Sequence, residues 1–246
     1  MAEARTGRTV RPAPRRERAR AATIDEIKRT ALDLMREHGT VEVKFTDIAR
    51  AMEMTPPALY RYFADRDQLL HALIADAYND LGDAVQRARD GVPADDLGGR
   101  WLAVAEAYRH WARREPHQFA LILGLPVSGY AAPESGPTTE AAQRAMAQLS
   151  TLFIDALMAG RLQPPLVREV AVPMEMCAVA KMHDMHGSIP PDTFQAMLHA
   201  WAALHGITSL EAYGHLDWME PAARDALFLG QAKLVARFTG LPEPPG

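Results

Sequence analysis

Apolar residues recur along this chain at three- and four-residue spacing, the mark of helices with one buried stripe, and no convincing strand pattern interrupts them. The first stripe is Ile24, Ile27, Ala31, Leu34 and Met35. With Asp25 and Glu26 in the opening turn, it predicts a helix from Thr23 that closes at His38-Gly39. Val41 to Phe45 alternates too briefly to argue for a sheet. Phe45 to Phe63 then reads as two short helices about a tight turn. Ile48, Ala49 and Met52 turn one face of the first inward, and Thr46 and Asp47 supply its cap and first turn. Thr55 caps the second, and Pro56 takes its first position, where a missing N–H costs nothing. Leu59 and Phe63 share a face, so Tyr60, Arg61 and Tyr62 project elsewhere.

A long amphipathic run follows from Asp67 to Arg89, with Leu69, Leu70, Leu73, Ile74, Ala77, Leu81 and Val85 on its apolar side. A helix of about 22 residues spans about 33 Å and serves as a connector. Gly91-Val92-Pro93 and Gly98-Gly99 break the pattern as a linker. Beyond them helices are predicted over 100–114, 117–123, 138–159, 165–184, 191–213 and 221–238. The predicted fold class is all-α, with a three-helix helix-turn-helix domain at 23–66 and a helical body at 67–246 that includes the connector. Residues 1–22 hold seven Arg against two Glu and almost no large apolar side chain, which predicts a disordered arm. It either follows phosphates or a minor groove, or only keeps the chain soluble.

Composition changes this picture at three points. The net charge of −4 argues against a nucleic-acid partner, but residues 1–66 carry 14 Lys and Arg against 10 Asp and Glu, and the remainder 13 against 21. A basic head on an acidic body is the electrostatic footprint of DNA binding. No apolar run of about 18 residues exists, and the Arg-rich start lacks the apolar segment of a signal peptide, so no membrane span and a cytoplasmic location are expected. The single cysteine, Cys177, excludes an intrachain disulfide and reads as buried filler.

The chemistry-bearing residues point away from catalysis. No nucleophile elbow, phosphate loop or paired acid and base is present, so neither an enzyme nor a cofactor is expected. His183-Asp184-Met185-His186 offers one i, i+3 histidine pair, with Cys177 six residues before it, which falls short of four metal ligands; a polar pocket lip is the better reading. Thr, Arg and Tyr side chains in the second short helix are donors suited to phosphates and base edges, although its aromatics would also serve to pack a small core.

Thr46-Asp47-Ile48-Ala49, Ala58-Leu59-Tyr60-Arg61-Tyr62-Phe63 and Asp65-Arg66-Asp67-Gln68-Leu69-Leu70 together resemble the N-terminal domain of the TetR family of bacterial transcriptional regulators, over roughly residues 24–75. The resemblance implies phosphate contacts from Thr46 and Tyr62, a groove-facing set of Thr55, Pro56, Pro57, Ala58 and Tyr60, and a phosphate clamp at Arg66, where the family often has Lys. Pro56-Pro57-Ala58 departs by offering few donors to bases. Base readout then rests on Tyr60, Arg61, thymine-methyl contact and DNA shape.

In the body, Trp101, Tyr108, Trp111, Phe119, Phe153, Met176 and Cys177 are adaptable side chains that either fill a core or line a small-molecule pocket. The resemblance favours the pocket. Trp201, His205 and Gly206 resemble the signature of the C-terminal subtype called WHG, which implies a homodimer through the last two helices, with Trp201, Leu204, Ile207, Leu227, Phe228 and Leu234 in the seam; packing of these stripes within the chain itself is the alternative. The expected function is a repressor that binds a palindromic double-stranded DNA operator and is released by a small, mostly apolar effector. An activator or ligand-independent regulator whose body only dimerises is the alternative.

Overall fold

A computed structural model describes residues 14–182 and 189–244. Among these, all regular structure is helical: α1 (Arg15–His38), α2 (Phe45–Ala51), α3 (Pro56–Leu59), α4 (Arg66–Asp90), α5 (Leu97–Arg114), α6 (Pro116–Leu123), α7 (Pro137–Met158), α8 (Val172–Met182), α9 (Pro191–Ala212) and α10 (Pro221–Thr239). The chain forms two compact units, Met1–Leu73 and Ile74–Gly246, so the division falls inside α4 rather than at the Gly91–Gly99 linker.

The first unit closes over Ile27, Ala31, Met35, Ile48, Ala49, Leu59, Leu69 and Leu70. α1 starts at Arg15 instead of Thr23, because the Arg, Ala and Glu residues after Pro14 are strong helix formers. Thr23 is interior to that helix, its hydroxyl donating to the Ala19 carbonyl at 3.1 Å. The second part of the expected disordered arm is therefore helix; residues 1–13 lie outside the described residues. Gly39, at φ 62°, closes α1 in the left-handed conformation that glycine adopts without strain.

α2 starts at Phe45 with Lys44 as its N-cap, so Thr46 is a residue of the first turn and caps nothing. In the turn, Glu53 takes a left-handed φ of 53°, and the Met54 N–H reaches back to the Ala49 carbonyl at 2.8 Å. Thr55 is the N-cap of α3 and Pro56 follows it, as expected, but the Thr55 hydroxyl makes no capping bond. α3 is short, and Arg61, Tyr62 and Phe63 continue it as turns that donate to Ala58 and Leu59 carbonyls. α4 opens on a reciprocal cap: Asp65 Oδ1 accepts from the Gln68 N–H at 2.8 Å, and Gln68 Oε1 from the Ala64 N–H at 2.9 Å.

The second unit is built round α5, whose Trp101 and Trp111 are fully buried with Phe119 of α6 and Phe153 of α7. Both indole N–H groups find partners, Trp101 the Ala232 carbonyl at 2.8 Å and Trp111 the Asp80 carboxylate at 2.7 Å. Gly98 lies where a Cβ would strike the Glu243 carbonyl, so the chain's end crosses the start of α5 at a distance only glycine permits. The predicted helix over 165–184 is replaced by a non-helical segment and then α8 from Val172. Pro173 would clash inside a longer helix. The Gln163 and Leu166 N–H groups are instead held by the Gly240 and Phe238 carbonyls, both at 2.8 Å.

Candidate nucleic-acid interface and body site

In the first unit the packing of Leu59 and Phe63 inward leaves Thr46, Thr55, Pro56, Pro57 and Arg61 exposed, and Tyr60 is 55% exposed. Ala58, Tyr62 and Arg66 are half-buried. The structure thus puts the nine sequence-derived residues on the turn, α3 and the elements that flank it. Tyr60 serves both readings of its aromatic ring: one side lies 5.2 Å from the Phe45 ring, the rest faces solvent.

One residue was missed. Arg20 of α1 donates to the Arg61 carbonyl at 3.3 Å and sets its guanidinium 5.6 Å from the centre of the Tyr62 ring. It ties the first helix to the end of the reading segment. Its place in an Arg-rich stretch read as disordered hid it.

In the second unit the expected pocket set separates. Trp101, Trp111, Phe119 and Phe153 are fully buried core, and Tyr108 is nearly so. Met176 is 69% exposed and Cys177 is exposed, which corrects the reading of the cysteine as buried filler and removes both from a shared cavity. The segment before α8 leaves Leu166 and Val167 exposed as well. His183 and His186 fall outside the described residues.

A void of about 30 Å³ lies among α4, α5, α7 and α9, lined by Tyr108, Met146, Gln148, Trp201 and aliphatic side chains. Beside it, Tyr108 Oη and His205 Nδ1 are 3.0 Å apart, and His205 stacks on Trp201 with ring centres at 5.7 Å. Burial holds the Tyr108 phenol well above its ordinary range and pulls His205 below its ordinary 6.5. The unfolded chain therefore binds more protons than the folded one just below that value, so the contribution of His205 to stability is complete above pH 6.5 and is lost as pH falls. Melting temperature is expected to fall from about pH 7.5 to about pH 5.5 more steeply than in His205→Gln. Parallel profiles would refute this.

A larger open cleft of about 480 Å³ lies between α5 and α10. Arg109 and Asp225 of its lining pair at 2.8 Å, and Arg109 also donates to both Glu211 oxygens at 2.5 and 2.6 Å.

The expected dimer seam is corrected in part. Leu204 and Phe228 are buried in the chain's own core, and Ile207 is half-buried against it. Trp201, Leu227 and Leu234 are exposed, and Leu198 and Leu210 join them. On α9 the exposed residues Leu198, Ala202, Gly206 and Leu210 recur at four-residue spacing; on α10, Ala223, Leu227, Gly230 and Leu234 make a similar stripe. An added Cβ at Gly206 or Gly230 would meet nothing within 4 Å.

An exposed helix-turn-helix on a small helical domain, followed by an all-helical body, defines a DNA-binding regulator. Residues 27–73 match the model of bacterial regulatory proteins of the tetR family, and residues 101–233 that of the Tetracyclin repressor-like C-terminal domain. The HTH-type transcriptional regulators Mb1846 of Mycobacterium bovis and Rv1816 of Mycobacterium tuberculosis are each 34% identical over 202 residues, covering 81% of this chain and 82% of theirs. The crystal structure of SCO4313, described as a regulatory protein, aligns with a TM-score of 0.69 at 32% identity, over 91% of this chain and 98% of that one. This chain belongs to the TetR family of DNA-binding transcriptional regulators, and its relatives are regulators rather than enzymes. The C-terminal match carries the general description and not the WHG subtype. No helix among the described residues is long and apolar enough to cross a membrane.

Proposed function

We propose that this regulator acts as a homodimeric repressor that holds a palindromic operator and lets go when a small, mostly apolar effector enters the body. The observation that carries the dimer is the exposed stripe on α9 and α10, with a glycine at the middle of each where nothing in the chain fills the space. A mid-helix glycine costs roughly 1 kcal/mol relative to alanine, and close approach of a second copy supplies its use. Two heads on a two-fold axis read two half-sites about 34–36 Å apart.

The proposed response is a population shift. An effector that binds the released state a hundredfold better moves the equilibrium by about 2.7 kcal/mol. α4 runs unbroken from one compact unit into the other and is the element through which such a bias would reach the head. The smallness of the void favours a second reading, a regulator whose body only dimerises. Screening small molecules for release of bound DNA separates the two, since the second reading predicts none.

In the head, Tyr60→Phe and Arg66→Ala are expected to weaken operator binding by about 1–3 kcal/mol each while leaving the dimer intact. Arg66→Ala, as a phosphate contact, weakens all sequences alike and lowers the salt slope by about one. Unchanged affinity at matched salt in mobility-shift titrations would remove both residues from the interface.

A further inference from the structure

Gln148, one of the residues that line the void beside Tyr108, carries an unmet acceptor. Gln148 of α7 is 8% exposed and lines it; its Nε2 donates to the Arg144 carbonyl at 3.2 Å, while its Oε1 is buried without a hydrogen-bond partner. That bond also fixes the amide's orientation, because a carbonyl only accepts, so the nitrogen faces Arg144 and the oxygen is the unmet atom. A buried acceptor left unmade is costly, and native proteins leave few of them.

The rest of the wall narrows what could meet it. Leu81, Val85, Val104, Leu149 and Leu204 are aliphatic, and no lining side chain carries a charge. A carboxylate or ammonium would surrender its hydration there with no counter-charge. Tyr108, kept neutral by burial, is already engaged with His205. At about 30 Å³ the void holds little more than a water, so a larger guest must displace the flexible Met146 and the Trp201 ring, which is 36% exposed.

We propose that this void is the seed of the effector site, and that it selects a neutral, mostly apolar molecule bearing one hydrogen-bond donor, which Gln148 Oε1 accepts. This rests on the ligand-responsive reading above, of which it names the ligand class.

Phenol, toluene and benzoate are matched probes: a donor, its isostere without one, and a charged acceptor. Calorimetric titration of the full chain without DNA is expected to show phenol binding about tenfold more tightly than toluene, equivalent to about 1.4 kcal/mol, and benzoate weaker than phenol. In Gln148→Leu the preference for phenol over toluene should vanish while toluene still binds. Equal binding of phenol and toluene by the native protein, a preference that survives in Gln148→Leu, or no binding of any probe would each overturn the proposal. A mobility shift on the same samples keeps the two readings apart. Phenol binding that depends on Gln148 but leaves the DNA complex intact supports the site and counts against effector release. DNA release by a donor-free or charged compound supports release and overturns the Gln148 assignment.

Discussion

Replacing Leu227 and Leu234 together with glutamate is expected to leave a folded monomer of 27.1 kDa, and the native chain is expected to sediment at twice that mass. The two side chains are 43% and 54% exposed, so the intrachain core beneath them, Phe228 and Val235, is untouched. In a two-fold seam the substitution sets four carboxylates across a close helix packing, and like charges brought together without counter-ions are not tolerated there. Operator affinity should fall with dimerisation, by roughly 100-fold or more, because one head reads one half-site. Sedimentation equilibrium and circular dichroism check the mass and the fold. A double variant that remains dimeric would remove the α10 stripe from the interface.

Arg109→Met is expected to destabilise the body by about 3 kcal/mol, a fall of roughly 10 °C in Tm. The Glu211 side chain is 4% exposed and receives two charge-assisted hydrogen bonds from Arg109, whose guanidinium also lies 4.6 Å from the centre of the Phe228 ring. Removing the arginine strands a buried carboxylate, and Arg113, at 3.6 Å and half exposed, replaces little of what is lost. Arg109→Met with Glu211→Leu should recover most of the loss, since an apolar pair leaves no charge uncompensated. A single variant that melts within about 2 °C of the native protein would show that the pair carries little of the body's stability.

The parts legible in the sequence were those with short-range rules. Pro56 after Thr55, Gly39 after His38 and the stripe from Leu69 to Val85 each specify local structure within a few residues, and the helices stand where those signals put them. The reading head was legible for the same reason, since Leu59 and Phe63 on one face leave Tyr60 and Arg61 outside. What stayed hidden depended on contacts distant in sequence. Arg20 meets Tyr62 only because α1 extends back to Arg15, and nothing near Gln148 says that its oxygen will lack a partner. The same limit explains the seam: Leu227 and Phe228 are adjacent and both apolar, and only the packing of α10 on α5 and α9 decides which one is core. Met176 and Cys177 were assigned by residue type alone, and their exposure, beside a buried Ala178, shows how little type decides without its neighbours.

The most direct test of the account is a mobility-shift titration of the purified chain against DNA flanking its own coding region, at stated salt, with the mass of the complex measured on the same sample. The account predicts a discrete, competitor-resistant complex holding one or two dimers, lost on replacing Tyr60 and Arg66. Titration of that DNA by monomers, or a discrete complex that survives both replacements, would contradict it.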